Sequence, residues 1–266
     1  KDIEHIVKSF KEFVMNIPKK GIVIAFGENP FVKEALKGLT NVITYGYTSS
    51  NDFYAENISF DDNGFPEYDI CHEGKVLCHL HLGVPGEHNV LNSMAAYVTS
   101  SYLGVNDEVI ASTLKAFRGT HRRFDFTGVT RNGVRIVDDY AHHPTEIKAT
   151  LAAASNVKHN KLRVVFQPHT YTRTKALFDD FIDSFDHVDS LIITDIYAAR
   201  EKDVYGVSSY QLVNAIKAKH PDREAYYVQD FEDIVKYLSA NAEEGDIVMT
   251  MGAGDVYKVG QMMLKA

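Results

Sequence analysis

Short apolar runs alternate with longer helical patterns through the second half of the chain, and this alternation constrains the fold more than any other feature. The run VRIVDDY (134–140) reads as a strand, and Pro144 opens a helix predicted over 144–157. Strands are predicted over 161–167, 190–196, 225–228 and 246–250, and helices over 173–186, 207–219, 230–240 and from about 254. Strands separated by helices require crossover connections, which build a mostly parallel sheet with helices flanking it. One hairpin interrupts the rule: FDFTGVT and VRIVDDY flank Arg131-Asn132-Gly133, a tight-turn signature.

The first half has a different texture. Ile3, Ile6, Val7, Phe10 and Phe13 recur at helical spacing, and residues 18–21 break the pattern. GIVIAF (21–26) and NVITYG (41–46) read as strands around a short helix near 30–36. From Asp52 to Leu82, extended runs meet at Asp62-Asn63-Gly64 and Glu73-Gly74, which predicts an antiparallel subsheet. Val90, Leu91, Met94, Ala95, Val98 and Tyr102 form the apolar stripe of a helix ending near Gly104, and Asn106 or Asp107 caps another. The basic, glycine-containing FRGTHRRF (117–124) is the best candidate for a linker between two domains, a number that 266 residues readily accommodate.

Composition narrows the function. A formal charge of −8 argues against a broad nucleic-acid-binding face. No apolar run approaches membrane-spanning length and no signal peptide is evident, so membrane insertion is not expected. Two cysteines, Cys71 and Cys78, have no zinc spacing and suit a reducing, cytoplasmic setting. The chain starts at Lys1 in mid-pattern without a methionine, as expected for a piece of a longer protein.

Four polar constellations carry candidate chemistry. Asp138, Asp139, Tyr140, His142 and His143 sit where a strand ends and a helix begins, the usual ligand position in an α/β sheet. They could hold a nucleotide hydroxyl, a metal or a substrate carboxylate; the plainer alternative is an N-cap histidine beside a solvated acidic loop. Gln167-Pro168-His169-Thr170-Tyr171-Thr172-Arg173-Thr174 puts an imidazole, hydroxyls and a guanidinium at a helix start, where anions are favoured. The alternative there is a capping loop with a solvated arginine. Asn89 and Asn92, three apart at a helix start, offer paired amides to a purine edge, with His88 beside a phosphate or a metal-bound water; a cap and a surface histidine would look the same. Met251-Gly252-Ala253-Gly254-Asp255 lacks the third glycine of a dinucleotide fingerprint and reads as a structural turn. His79 and His81 share one strand face without an evident carboxylate or cysteine partner, as on an exposed sheet face. Arg122 and Arg123 could be solvated, or could swing onto a triphosphate when two domains close.

In this order, GEHNVLN, FRGTHRRFDFTG, DDYAHHPTEI, FQPHTYTRT, IYAAREKD and MGAGD resemble the Mur ligases of peptidoglycan synthesis. The resemblance runs from about residue 84 to the end. It implies a Rossmann-like C-terminal ligase domain over 122–266, preceded over 1–121 by the latter part of an α/β ATP-binding middle domain. It also implies ATP and Mg²⁺ as cofactors and an amide ligation through an acyl phosphate. DDYAHHP and QPHTYTRT point to the member that joins L-alanine to UDP-N-acetylmuramate. A relative that adds a tripeptide to the same nucleotide, and a non-catalytic nucleotide-binding module, remain alternatives. Carried over by motif, Asn89 and Asn92 would read adenine, His88 would lie near the metal, Arg123 would meet ATP phosphate and Asp139 the ribose. His142 and Arg173 would be catalytic, and His142, His143, His169 and Arg173 would face the amino acid or the acyl-phosphate end. The family's Gly-rich phosphate loop is missing, since no G-x-x-x-x-G-K-[ST] occurs. This chain alone is therefore expected not to ligate.

Overall fold

A computed structural model describes residues 3–18 and 20–266; Lys19, inside the break expected at 18–21, lies outside them. The chain divides into two compact units, Lys1–Arg118 and Gly119–Ala266. In the first, α1 (Ile3–Met15) precedes β1 (Val23–Phe26), α2 (Pro30–Ala35) and β2 (Val42–Gly46). Then come β3 (Phe53–Phe60), β4 (Pro66–His72), β5 (Lys75–His81), α3 (His88–Tyr102) and α4 (Asp107–Ala116). The five strands form one sheet in order β1-β2-β3-β4-β5, parallel up to β3 and antiparallel beyond it. The expected antiparallel part is thus an extension of the parallel one. Glu73 and Gly74 both take positive φ (49° and 75°), as a two-residue hairpin turn requires when strands twist right-handedly. Helix α3 buries Val90, Met94, Tyr97 and Val98 in the core with Tyr68, Ile70 and Leu80 of the sheet.

The second unit contains β6 (Asp125–Val129), β7 (Arg135–Asp139), α5 (Pro144–Ser155), β8 (Leu162–Phe166), α6 (Tyr171–Ala176), α7 (Phe178–Ile182) and β9 (Ser190–Ile193). It ends with α8 (Ser209–Lys219), β10 (Glu224–Tyr227), α9 (Phe231–Asn241), β11 (Ile247–Met251) and α10 (Tyr257–Met263). The strand order is β10-β9-β8-β11-β7-β6, and only β6 is antiparallel. Alternate strand residues face opposite sides. Val164, Phe166, Leu191, Ile193, Met249 and Met251 meet α5, α7 and α8 on one face. Val165, Ile192 and Val248 meet α9 and α10 on the other. Both faces are covered, which is why these strands read as continuous apolar runs.

Two sequence expectations change. The helix expected over 173–186 is two short ones, starting earlier at Tyr171 and divided at Leu177 (φ −114°, ψ 22°). Its apolar spacing runs through the break: Leu177 and Phe178 pack against the core that buries Phe181, Ile182 and Phe185. The strand expected over 190–196 stops at Ile193, and its remaining residues become a loop. Among the described residues no helix is long and apolar enough to cross a membrane.

At the starting ends of β8 and β11 a buried ion pair holds the sheet. Arg163 Nε donates to Asp246 Oδ2 at 2.8 Å, with side chains 7% and 2% exposed. Asp246 also accepts from the Lys161 and Glu243 N–H groups, and Arg163 Nη2 reaches the Asn241 carbonyl. Removing one partner of such a pair strands a buried charge. Asp246→Ala is therefore expected to cost about 3–5 kcal/mol in urea unfolding. Replacing both residues by apolar ones of similar volume should recover most of that; a double variant as unstable as the single would contradict this account.

Candidate active site

The carboxyl ends of β7, β11 and β8 lie side by side, with Met251 in register with both Asp139 and Phe166. The chain leaves β7 and β8 toward one face of the sheet and β11 toward the other, which opens a crevice at this end. Three loops line it: Tyr140–His143, Gln167–Thr170 and Gly252–Val256.

Buried polar groups tie these loops down. Gln167 is 6% exposed; its Oε1 accepts from the Asp255 and Val256 N–H groups at 2.8 and 3.2 Å, and its Nε2 donates to the Asp195 carbonyl. Gly252 (φ +146°) packs so closely that a Cβ would lie 2.6 Å from the Gln167 carbonyl oxygen. The GAGD segment is thus the structural turn its two glycines suggest. Asp138 accepts from Thr250 Oγ1 at 2.6 Å and from Arg122 Nε at 2.9 Å. Arg122 Nη2 donates to the Gly252 carbonyl, and its guanidinium lies over the Tyr140 and Tyr257 rings at 4.9 and 4.8 Å. Arg123 is exposed, 5.5 Å from the Tyr140 ring. The two linker arginines therefore divide their labour: Arg122 is part of the scaffold, and Arg123 is the one open to a ligand.

Asp139 is more occupied than its sequence reading implies. Its carboxylate is buried and takes hydrogen bonds from the Phe124 and Ala141 N–H groups, both at 2.7 Å, and from Thr150 Oγ1 at 3.2 Å. Burial pushes its carboxyl above the ordinary range, against the pull of these donors. In this structure Asp139 anchors the strand-to-helix loop.

The half-buried chemistry is a row of rings and one guanidinium. Tyr140 meets His142 edge-on at 5.4 Å, His142 meets His169 at 5.6 Å, and His169 stacks on Tyr197 at 5.6 Å and 18°. His142 Nδ1 lies 2.9 Å from the Tyr140 carbonyl, which can only accept, so Nδ1 carries the proton. In the neutral ring Nε2 is then the acceptor. Glu146 Oε2 accepts from the His142 and His143 N–H groups and lies 3.3 Å from His142 Nδ1. His143 is the N-cap of α5: its Nδ1 accepts from Thr145 N, completing a capping box with Glu146. The plainer of the two sequence readings thus describes His143, while His142, His169 and Arg173 come together.

Arg173 Nη1 approaches His169 Nδ1 at 3.3 Å. A guanidinium only donates, so here Nδ1 accepts. Burial lowers the His169 pKa first, and the positive charge of Arg173 lowers it further.

In the first unit, Asn89 Nδ2 donates to the Pro85 carbonyl at 2.7 Å, and Asn92 Nδ2 donates to Asn89 Oδ1 at 3.0 Å. This chain of amides leaves the exposed Asn92 with an acceptor oxygen and a second N–H, the complementary pair a purine edge needs. His88 is exposed at the first residue of α3. Among the described residues no group of three or more His, Cys, Asp or Glu could hold a metal. A Mg²⁺ carried largely by phosphate oxygens and water does not require such a group. His79 and His81 do have carboxylate partners: strand register puts them opposite Asp69 and Glu67, at 2.8 and 3.3 Å. Those partners sit on the adjacent strand, beyond any short sequence spacing.

Glu146, Tyr197 and Glu201 shape the site although the sequence reading assigns them no individual role; Gln167 opens one of its constellations but acts here as a loop anchor. Glu146, three residues after the His143 cap, is the most findable of them, as half of a capping box.

Residues 1–100 match the Mur ligase middle domain and residues 122–254 the Mur ligase glutamate ligase domain, and the chain belongs to the Mur ligase family. It is 50% identical to the UDP-N-acetylmuramate–L-alanine ligase of Alkaliphilus metalliredigens, over 99% of this chain and 57% of that one. The enzyme of the same name from Caldanaerobacter subterraneus is 46% identical over 100% and 57%. The chain thus spans somewhat more than half the length of these relatives. Among solved structures, the UDP-N-acetylmuramate–alanine ligase of Thermotoga maritima superposes with a TM-score of 0.78 at 25% identity, covering 100% of this chain and 55% of that one. A murein peptide ligase from Psychrobacter arcticus shares the fold, with a TM-score of 0.67 at 23% identity, over 99% and 54%.

The His169 environment gives a direct test. Arg173→Ala removes a positive charge that disfavours the imidazolium. The midpoint of His169, followed by its ring-proton NMR shift, should rise toward the free value of about 6.5. An unmoved midpoint would mean that the guanidinium does not reach the ring in solution.

Proposed function

We propose that this chain supplies part of the ATP-binding middle domain (1–121) and the C-terminal domain (122–266) of an ATP-dependent ligase that joins L-alanine to UDP-N-acetylmuramate. The observation that carries the reading is the group formed by His142, His169 and Arg173 at the crevice end of the parallel sheet. It presents a cation and two imidazoles, as recognition of a small amino acid's carboxylate and handling of its amine would require. The names of the curated relatives support the same choice.

In the proposed reaction, an oxygen of the nucleotide sugar's carboxylate forms a bond to the γ-phosphorus of ATP as the bond to ADP breaks. The amine of L-alanine then attacks the carbonyl carbon of the acyl phosphate, and inorganic phosphate leaves. Mg²⁺ would neutralise phosphate charge, with His88 beside it. Asn89 and Asn92 read the adenine, and Arg123 takes a phosphate. Arg173 binds a carboxylate through its fork of N–H donors. His142, with its proton held on Nδ1 by Tyr140, offers Nε2 to the proton that the attacking ammonium must lose. The protein's contribution is placement and charge neutralisation. By itself the 266-residue chain is proposed to be inactive, since it holds no phosphate-loop motif with its lysine.

The test follows ADP release by the full-length protein with ATP, Mg²⁺ and UDP-N-acetylmuramate while the amine is varied. Turnover that depends on L-alanine is the expected result. Preference for a muramyl-type tripeptide would reassign the protein to recycling, and absence of any amine dependence would leave only nucleotide binding.

A further inference from the structure

The IYAARE segment (196–201), which follows β9, has no part in the function described so far, yet it holds the Arg173 loop in place. Helix α6 is too short to support itself, since a single turn forms unfavourably in isolation. Its own N-cap, Thr170, takes φ +65° and makes no side-chain cap. The cap comes from elsewhere. Glu201 Oε2 accepts from the Thr172 N–H at 2.9 Å, Oε1 accepts from the Thr172 hydroxyl, and the Tyr171 N–H is also directed at the carboxylate. An anion at this position is also favoured by the helix dipole.

The same two loops are joined by backbone. Thr170 N–H donates to the Tyr197 carbonyl at 2.9 Å, and Tyr197 N–H donates to the Pro168 carbonyl at 2.8 Å. With the Tyr197 ring stacked on His169, the segment is fastened on both sides of the residues that carry Arg173 and His169. The Thr172 hydroxyl and N–H hold the Glu201 carboxyl below its usual range, so it stays ionised at neutral pH.

We propose that Glu201 is a positioning residue: capping α6 from the neighbouring loop, it fixes Arg173 and His169 for the amino-acid substrate. The role rests on the reading that those two residues face the amino acid. Glu201 itself touches no reacting atom, so its loss should weaken amino-acid binding and leave the nucleotide steps alone.

In the full-length protein, Glu201→Ala should raise KM for L-alanine about tenfold, the worth of one charge-assisted hydrogen bond. KM for ATP and for the nucleotide sugar should stay put, and kcat should change much less. Glu201→Gln, which keeps one acceptor oxygen, should fall between. Thr172→Val, a milder change that leaves the carboxylate in place, should move the same KM in the same direction. Glu232→Ala, on the exposed start of α9, should change nothing. Equal losses in every parameter, or none, would overturn the proposal.

A second readout does not depend on catalysis. In the 266-residue chain, Glu201→Ala should speed amide hydrogen exchange at Thr172 and Tyr171 while exchange in the β8 core stays slow. It should also lower the His169 midpoint, since a nearby anion that favours the imidazolium is gone. Unchanged exchange at Thr172 would overturn the clamp whatever the substrate. If the wild-type enzyme showed no amine-dependent turnover, the substrate reading would fall, and with it the catalytic meaning of Glu201; faster exchange would still establish the contact.

Discussion

Inserting β11 between β7 and β8 is the constraint on which the rest of the second unit depends. Asp139, Met251 and Phe166 end in one row, and their loops must part to opposite faces of the sheet. The parting exposes backbone and polar side chains at a place where two layers of helices would otherwise cover them. Three buried polar side chains at this rim are accordingly answered. Asp138 is held by Thr250 and Arg122, Asp139 by two N–H groups and Thr150, and Gln167 by the turn after β11. A buried polar group without partners costs more than a partnered one gains, so such completeness marks a rim built to be rigid. The rings and the guanidinium stand on this rim.

Rigidity at the rim has an electrostatic consequence. Arg123 is exposed and Arg173 is half-buried against His169, while Arg122 is occupied by Asp138, Gly252 and two tyrosine rings. His142 and His169 are each fixed in one tautomer by a partner that can only accept or only donate. Carboxylates lie close to this positive charge: Glu146 Oε2 is 3.3 Å from His142 Nδ1, and Glu201 stands near His169. Glu146 and Glu201, the nearest acids, are occupied by backbone N–H groups at the starts of α5 and α6. Such a surface suits anionic groups, which the proposed substrates and intermediate all carry.

Much of this was legible in the sequence, for reasons that differ by residue. The strands of the second unit are buried on both faces, so LRVVF and IVMTM announce themselves as apolar runs. The Asn-Gly and Glu-Gly turns announce themselves because only certain residues accept positive φ. The division of the helix near Leu177 was hidden because neither proline nor glycine marks it and the apolar spacing continues across it. Site loops were found by their polarity after strands, and DDYAHHP and QPHTYTRT did converge at His142, His169 and Arg173. Which arginine is locked, and that Asp139 is held from within, depended on partners far along the chain; Arg122 bonds Gly252, 130 residues away. His143 looks like its neighbour His142 in sequence, and only the capping geometry separates them.

The most direct measurement is the position of the bound amino acid. A crystal structure of the full-length protein with a non-hydrolysable ATP analogue, UDP-N-acetylmuramate and L-alanine would give it. The account predicts the L-alanine carboxylate within hydrogen-bond distance of Arg173, about 2.7–3.2 Å, with His142 and His169 lining the same pocket. L-Alanine seated elsewhere, with the Arg173 fork turned to solvent, would contradict it.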